Sequence, residues 1–565
     1  VVAERVASSD RPAAGDTVWP GSAPSRWTIA LLPLAFGLVL YVLNVTQLFT
    51  AAPGDLGDGR FNTIVLEHFY RLLTGQDKDI WTVPFFYPFE GTLAFSDNLF
   101  GSAPVYALFR LLGAPRAIAL DGWFTVGFVL NYFAMLYAGR RFGLSPIATA
   151  FAAFAFTFAL PMLAQETHVQ LVYRFATPLA FLALWQAFRR RRLILLAMAL
   201  FWLAVQFYCS IYLGVFLVIV LGFTSLALLL SERRGLAEML RSPAGETRPA
   251  QLLRAGLAVL SLLALGWLLR PYQHFSDLYG FHRTWDTIAG GLPQLWSYLM
   301  ADRAPDSLPR LLDAVGSAGP EQQLFLGLPL LALFALGAAL ALRTRNRLGL
   351  LALVVIAGTF ALTLLVDGNS LYWFVWSLPG LNALRVMTRL ILVVLLPLSL
   401  AAALAIDWLL THAQRPDAAR GAAIAALVLM LGGMGAEVAL YRPDATPIVA
   451  WTAAADALRS RLPPNLPSDA ILLVTSPPDA KFYWPTDVSA MVVAQDLGLA
   501  LINGYSGNFP PGYVNAKPCL TPAEALAGYF KFAAVPPSQQ QALLARVVVV
   551  AAPSASGGGL AACPE

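Results

Sequence analysis

What most limits the fold of this chain is a series of apolar runs, recurring along most of its length at close to membrane-spanning size. A helix needs about 20 mostly apolar residues to cross the hydrocarbon layer. Eleven runs approach or reach that length: Trp27–Thr50, Ala117–Gly139, Leu144–Leu163, Leu171–Phe188, Leu193–Tyr208, Ile211–Leu230, Leu252–Leu269, Leu324–Leu342, Leu348–Val366, Leu390–Leu410 and Ala422–Leu440. A further run, Asn98–Gly113, is shorter and interrupted by Gly101, Pro104 and Arg110, so its length fits either a span or an interfacial helix. Only 13% of the residues are charged and 58% are hydrophobic, against about 25% charged in a soluble domain. A soluble core could not absorb this much apolar surface, so the bilayer must be the solvent for much of it. The expected fold class is an all-α polytopic membrane protein with about eleven transmembrane helices.

The formal net charge of +5 comes from basic residues grouped between the apolar runs, where topology signals sit. That pattern speaks against a nucleic-acid partner and for contact with membrane lipids. Val1–Arg26 is polar, and the run after it is too long for the core of a signal peptide, so no cleavable leader is expected. Residues 1–26 are therefore placed in the cytoplasm and Asn98–Gly113 at the interface. Arg140-Arg141, Arg189 to Arg192, Arg233-Arg234 with Arg241 and Arg248, Arg343 with Arg345 and Arg347, and Arg415 with Arg420 then all fall on the cytoplasmic side. A spanning Asn98–Gly113 would move every cluster outside, against the positive-inside rule.

This topology gives a transmembrane part over residues 27–440 and five outer stretches. They are a first loop from 51 to 116, a short turn at Gln165-Glu166-Thr167-His168, loops 270–323 and 367–388, and a tail, 441–565. The tail is long enough for a small domain. Strand-like runs at Ala470–Thr475, Ala490–Ala494 and Val547–Ala551, with helical stretches at Trp451–Arg461 and Pro522–Phe532, predict a small α/β unit. Pro553–Gly559 has a composition typical of disorder. Cys519 and Cys563 could pair if the tail is outside; Cys209 lies in an apolar run, and no Cys/His cluster has metal-ligand spacing. The cytoplasmic connections are short and carry neither a Walker motif nor GxGxxG. Any chemistry is expected outside, where nucleotide-activated substrates are not.

The first loop opens with Gly54-Asp55-Leu56-Gly57-Asp58-Gly59. Two carboxylates three residues apart, in a glycine-rich turn at the membrane surface, could both reach one hydroxyl or one metal ion. Partial desolvation raises a carboxylate pKa and suits it to act as a general base; an ordinary solvated turn is the competing reading. Phe61–Thr74 is amphipathic, with Ile64, Val65, Leu66, Phe69, Leu72 and Leu73 against Glu67, His68 and Arg71, and is expected on the membrane surface. Asp97 follows an aromatic segment beginning at Phe85 and could be an N-cap or a ligand. His168 falls on the same side as Asp55 and Asp58. Outer arginines are scarce, so Arg283, Arg385 and Arg389 are candidates for binding phosphate, with snorkelling as the alternative. Arg174 sits just inside a span, where a charge is costly and needs a partner.

Several of these segments taken in order resemble bacterial membrane glycosyltransferases of the GT-C superfamily. They are Gly54-Asp55 through Asp58, Phe86-Tyr87-Pro88, Thr92 through Gly101, His168-Val169-Gln170-Leu171 ahead of Pro178-Leu179, Leu384-Arg385 through Arg389, and Asn503 through Tyr513. The resemblance covers most of the chain and is strongest to a branch whose acceptors are mostly unknown. It implies a multi-helix fold with a catalytic acid and two membrane-parallel helices in the first outer loop, for which Phe61–Thr74 and Asn98–Gly113 are suited. It also implies inverting transfer from a polyprenyl-phosphate-linked sugar to a glycan, lipid or protein acceptor. The place would be the periplasmic face of the bacterial inner membrane. Asp55 or Asp58 occupies the position of the family's loop acid, and Asp58 is favoured because it lies nearer the amphipathic helix. Arg283, Arg385 or Arg389 would stabilise the departing phosphate, and His168 and Asp97 would line the site. Some members need a divalent metal (Mg or Mn) and some do not; Asp55 and Asp58 would be its ligands.

Two other classes compete. A lipid or glycan flippase or transporter usually shows mid-membrane charges, broken helices and repeated halves; here nearly all charges lie at the ends of the runs and no repeat is evident. A non-catalytic accessory protein would keep the fold and use the tail for binding, but it would have no need of both loop acids.

Overall fold

The computed structural model describes residues 23–232, 238, 247–301, 320–414 and 419–553. Most of segment 1–26, together with Arg233, Arg234, Arg241, Arg415, Cys563 and the stretch after Pro553, lies outside them. Cys519 is disulfide-bonded.

Each apolar run forms a helix. Among the described residues, seven helices are long and apolar enough to cross a membrane: Arg116–Arg141, Pro146–Ala164, Val169–Arg190, Ile211–Ser231, Arg248–Tyr279, Met387–Ala413 and Ala419–Leu440. The other four runs form shorter apolar helices, Thr28–Asn44, Leu193–Cys209, Leu328–Thr344 and Arg347–Thr363. Within Asn98–Gly113 only Ala103–Leu111 is helical. At 1.5 Å per residue it is about 13 Å long, less than half of a hydrocarbon core of about 30 Å. This segment therefore stays within the loop. The Arg248–Tyr279 helix runs well past the expected boundary at Leu269, so the first part of loop 270–323 is helical.

Ile391–Ala413 is the central helix, buried along most of its length. It packs on Leu328–Thr344, Pro146–Phe158, Arg347–Thr363 and Ala419–Leu440. Gly337 allows the first of these contacts, because a Cβ there would lie 1.9 Å from the Ala401 carbonyl oxygen; small residues permit such approaches between membrane helices. By contrast, Arg248–Tyr279 and Ala419–Leu440 leave Leu252, Leu260, Leu263, Val428 and Leu429 exposed. An apolar face left open in this way suits lipid.

Buried Arg174 has the partners its position demands, and they are backbone carbonyls. It donates to Leu392 (2.8 Å) and Phe156 (3.0 Å), and its guanidinium lies 4.8 Å from the Phe156 ring centroid. The helix Pro146–Phe158 ends at Ala159, before Leu160-Pro161, so the last carbonyls of that helix have no following N–H to accept from. Arg174 fills that gap.

Two expectations for the outer parts need correction. The Asp58–Leu73 helix does not show a polar face to water: Glu67, His68 and Arg71 are buried with the apolar residues. Glu67 accepts from Tyr106 (2.8 Å) and from two nitrogens of Arg110 (2.8 and 3.0 Å), while His68 and Arg71 both engage Asp77. The helix packs between Ala103–Leu111 and the tail helix Trp484–Leu497, so its polar side is satisfied by protein. The second correction is Ala490–Ala494, which belongs to that tail helix and not to a strand. Its short apolar run fits either period, and burial from Thr486 to Gln495 favours the form that packs on both the tail sheet and the first loop.

The tail contains a parallel sheet of β3 (Ile471–Thr475), β4 (Ala500–Leu501) and β5 (Val547–Ala551), in the order β4–β3–β5. Helices Ile448–Arg459, Trp484–Leu497, Pro522–Phe532 and Pro537–Leu544 accompany it. The first loop is bound into this unit. β1 (Ala51–Pro53) pairs antiparallel with β2 (Ala445–Pro447). The Leu501 N–H donates to the Pro84 carbonyl (2.9 Å), and Tyr87 N–H to that of Leu501 (2.8 Å), so residues 84–87 run along the free side of β4.

Candidate active site

Asp58 begins its helix just after the turn that Asp55 closes. Asp55 Oδ1 accepts from the N–H groups of Gly57 (3.0 Å) and Gly59 (3.2 Å), the usual work of an Asp in a turn. The two loop acids therefore do different jobs. Asp58 Oδ2 lies 2.9 Å from His168 Nδ1, and its Oδ1 accepts from the Tyr505 hydroxyl at 2.6 Å. The other ring nitrogen of His168 lies 3.1 Å from Glu321 Oε1 and 2.8 Å from Arg389 Nη2. Arg389 donates to both Glu321 oxygens, at 2.6 and 3.1 Å, and its guanidinium lies 5.4 Å from the Tyr212 ring centroid. Arg389 is held in place through Gly291, whose carbonyl accepts from Met387 (2.9 Å) and Thr388 (3.2 Å). A Cβ on Gly291 would lie 1.9 Å from the Arg385 carbonyl oxygen, so only glycine allows that approach.

The result is a chain of alternating charge, Asp58–His168–Glu321–Arg389. Burial alone would raise the Asp58 pKa. The hydrogen bond and charge of His168, the Tyr505 hydroxyl and the charge of Arg389 outweigh it and hold Asp58 below the usual carboxylate value. Burial is likewise outweighed at Glu321, chiefly by Arg389 and His168, and its pKa is strongly lowered. Burial and Arg389 work against a charged His168, but hydrogen bonds to Asp58 and Glu321 prevail and raise its pKa. Asp58 is thus ionised at neutral pH. Its side chain is 32% exposed, against 12% for His168 and 6% for Arg389, so it is the member of the chain most open to a substrate.

Of the residues singled out from sequence, the structure brings Asp58, His168 and Arg389 into one cluster, with Asp55 beside it. Asp97 caps a helix, but not the one that follows it in sequence: its carboxylate accepts from the Ser210 hydroxyl (2.7 Å) and the Ile211 N–H, at the start of Ile211–Ser231. Burial pushes its pKa up to about 6 despite those bonds. Arg283 donates to the Gly507 carbonyl (2.6 Å) and to Asn508 Oδ1 (2.8 Å), tying its loop to the tail. Arg385 has an exposed side chain, and its backbone N–H donates to the Tyr212 hydroxyl (3.2 Å). Glu321, Tyr505 and Tyr212 were not anticipated. Tyr505 lies within the Asn503–Tyr513 segment that carried part of the resemblance, whereas Pro320-Glu321-Gln322-Gln323 has no motif to draw attention to it.

Asp58, His168, Glu321, Arg385 with Arg389, and Tyr505 come respectively from, or directly beside, each of the five stretches read as outer. Their convergence places all five at one end of the bundle. The donor set does not suit a metal ion at the loop acids. Asp55 Oδ1 is committed to the turn, and both Asp58 oxygens already have partners. Among the described residues no group of three His, Cys, Asp or Glu side chains is arranged to hold a metal.

No family model matches the chain, and no curated protein matches it. Among solved structures it is similar to an oligosaccharyltransferase of Archaeoglobus fulgidus in the apo form, at 13% identity and a TM-score of 0.47, over 86% of this chain and 65% of that one. It is similar also to ArnT of Cupriavidus metallidurans bound to undecaprenyl phosphate, at 15% identity and a TM-score of 0.42, over 85% and 86% of the two chains. A third is the arabinofuranosyltransferase AftD from Mycobacteria, at 15% identity and a TM-score of 0.44, over 87% of this chain and 33% of that one. The chain thus spans less than two thirds of the length of the first and third of these proteins. At such identities and TM-scores the likenesses are distant.

Proposed function

We propose that this chain is a GT-C-type membrane glycosyltransferase that moves a sugar from a polyprenyl-phosphate donor to an acceptor hydroxyl, with inversion. It would act on the periplasmic side of a bacterial inner membrane. The observation that carries the reading is the meeting of five outer stretches at one ionised, partly open carboxylate, Asp58, backed by His168, Glu321 and Arg389.

In this reading Asp58 accepts the proton of the acceptor hydroxyl as its oxygen bonds to the anomeric carbon. The bond from that carbon to the phosphate oxygen breaks on the opposite face, and the lipid phosphate leaves with the electron pair. His168 orients Asp58 and balances its charge. Arg389 is committed to Glu321 and serves as a positioning residue; the exposed guanidinium of Arg385 is free to face the departing phosphate, where charge develops in the transition state. An apolar groove of about 660 Å³, lined by Trp285, Phe360, Leu364, Trp373 and Phe374 among others, would suit an isoprenoid chain. No step is routed through a metal, for which Asp55 and Asp58 make a poor pair.

The test is transfer of labelled sugar from a panel of polyprenyl-phosphate donors by the purified protein in lipid, with the anomeric configuration of the product read by NMR. Asp58→Asn should lower the rate about a hundredfold or more. Undiminished transfer by that variant would contradict the assigned base, and a retained configuration would contradict the direct displacement.

A further inference from the structure

The tail contributes more than Tyr505 to the surroundings of Asp58. Just before β4, the N-terminal end of the Trp484–Leu497 helix is docked on the first loop. The Trp484 indole lies against the turn that precedes Asp58: a Cβ on Gly57 would sit 3.2 Å from the indole ring and 3.4 Å from Asp55 Oδ2. Phe482 continues the same surface. Its ring centroid is 6.3 Å from that of Trp484 and the two planes are inclined by only 25°, while its side chain is 62% exposed. Tyr483, between them in sequence, is half-buried and within electrostatic reach of Tyr505. Two nearly parallel aromatic rings therefore lead from open solvent to the turn that precedes Asp58.

Resting on the glycosyltransferase reading, we propose that Phe482 and Trp484 form the acceptor platform, and that the acceptor is a saccharide. A pyranose ring has a face of C–H groups carrying partial positive charge, which matches the negative face of an aromatic ring, and a rim of hydroxyls that needs polar partners. Both are supplied here: two similarly inclined rings, with Asp55 and Tyr483 beside them and Asp58 at the inner end. A terminal sugar presenting its hydroxyl to Asp58 would lay the next units along Trp484 and Phe482. A membrane-anchoring role fits less well. The segment around Phe482 includes exposed Asp479 and Lys481 and offers only the small apolar groups of Pro478 and Ala480 beside the ring, whereas an interfacial anchor pairs its aromatics with an apolar face.

The experiment uses the full chain in lipid nanodiscs, without donor lipid. Maltohexaose, mannohexaose and cellohexaose serve as probes, and binding is read by saturation-transfer NMR and titration. At least one probe is expected to bind through its ring C–H protons. Phe482→Ala should weaken that binding about fivefold, within the usual worth of one aromatic contact, with an unchanged melting temperature, and Phe482→Tyr should restore it. Saccharide binding is thereby read separately from transfer: binding without transfer would sink the enzymatic reading alone. Failure of all three probes to bind, or equal binding by Phe482→Ala, would overturn the platform.

Discussion

The Asp58–Leu73 helix carries or adjoins two histidine–aspartate pairs of nearly the same length, and they differ in reach along the chain and in exposure. His68 Nδ1 lies 2.7 Å from Asp77 Oδ2, and His168 Nδ1 lies 2.9 Å from Asp58 Oδ2. Both aspartates are held below the ordinary carboxylate value, their hydrogen bonds and neighbouring charges outweighing burial. The first pair is local, closed by a turn a few residues past the helix. Asp77 also takes Arg71 at 2.9 Å, His68 Nε2 lies 3.3 Å from the Ile80 carbonyl, and the Asp77 side chain is 13% exposed. The second joins residues far apart in the chain, continues to Glu321 and Arg389, and leaves Asp58 more open. On the proposed function, a short His–Asp distance therefore does not by itself distinguish a catalytic pair from a structural one. The partner of the second ring nitrogen and the accessibility of the carboxylate do.

Changes to the distant pair should register in catalysis, and changes to the local pair in stability. Asp58→Asn is expected to produce the largest catalytic loss. Next is Glu321→Gln, which removes one of the hydrogen bonds that raise the His168 pKa. The protonated histidine persists below that raised pKa and is lost as pH rises through it. The alkaline limb of the rate profile should therefore move to lower pH in Glu321→Gln, with a rate loss on the order of tenfold near neutrality; an unmoved limb would show that His168 is not the group titrating there. Tyr505→Phe should cost only a few-fold, but it deletes a hydrogen bond that lowers the Asp58 pKa. As the proposed base, Asp58 would act when deprotonated, so the acid limb should shift to higher pH while the alkaline limb stays. A uniform drop with no shift would reduce Tyr505 to a packing role. The smallest effect is expected for Asp55→Asn, since an asparagine Oδ1 can still accept from Gly57 and Gly59; the rate should stay within about twofold. A collapse there would identify Asp55 as the base.

The helices were legible because membrane-spanning length and apolar character are properties of contiguous residues. The short Ala103–Leu111 helix could be kept within its loop because a spanning segment there would have moved every arginine cluster to the other side, against the positive-inside rule. Asp58, His168 and Arg389 could be singled out because they lie in short segments, Gly54 through Asp58, His168 through Leu171 and Leu384 through Arg389, that carry the family resemblance. Their mutual contact could not be read, since it depends on how separated helices pack. Glu321 stands beside an apolar run without a motif, and Tyr505 reaches Asp58 only because β1 pairs with β2 and residues 84–87 run beside β4. The same docking covers Glu67, His68 and Arg71, which the amphipathic pattern had set opposite the apolar side of a membrane-surface helix: a helical period marks which residues share a side, not what covers that side. It also joins to the first loop a tail that the sequence had shown only as a separate α/β unit.

The most direct test sets Asp58→Asn beside Asp77→Asn in the same lipid preparation and measures sugar transfer and thermal unfolding for each. Asp58→Asn should lose transfer about a hundredfold or more and keep its melting temperature. Asp77→Asn should keep transfer and unfold at a lower temperature, reflecting a loss of about 1–3 kcal/mol from a mostly buried charged hydrogen bond. Transfer that survives in Asp58→Asn but collapses in Asp77→Asn would contradict the assignment of the two pairs.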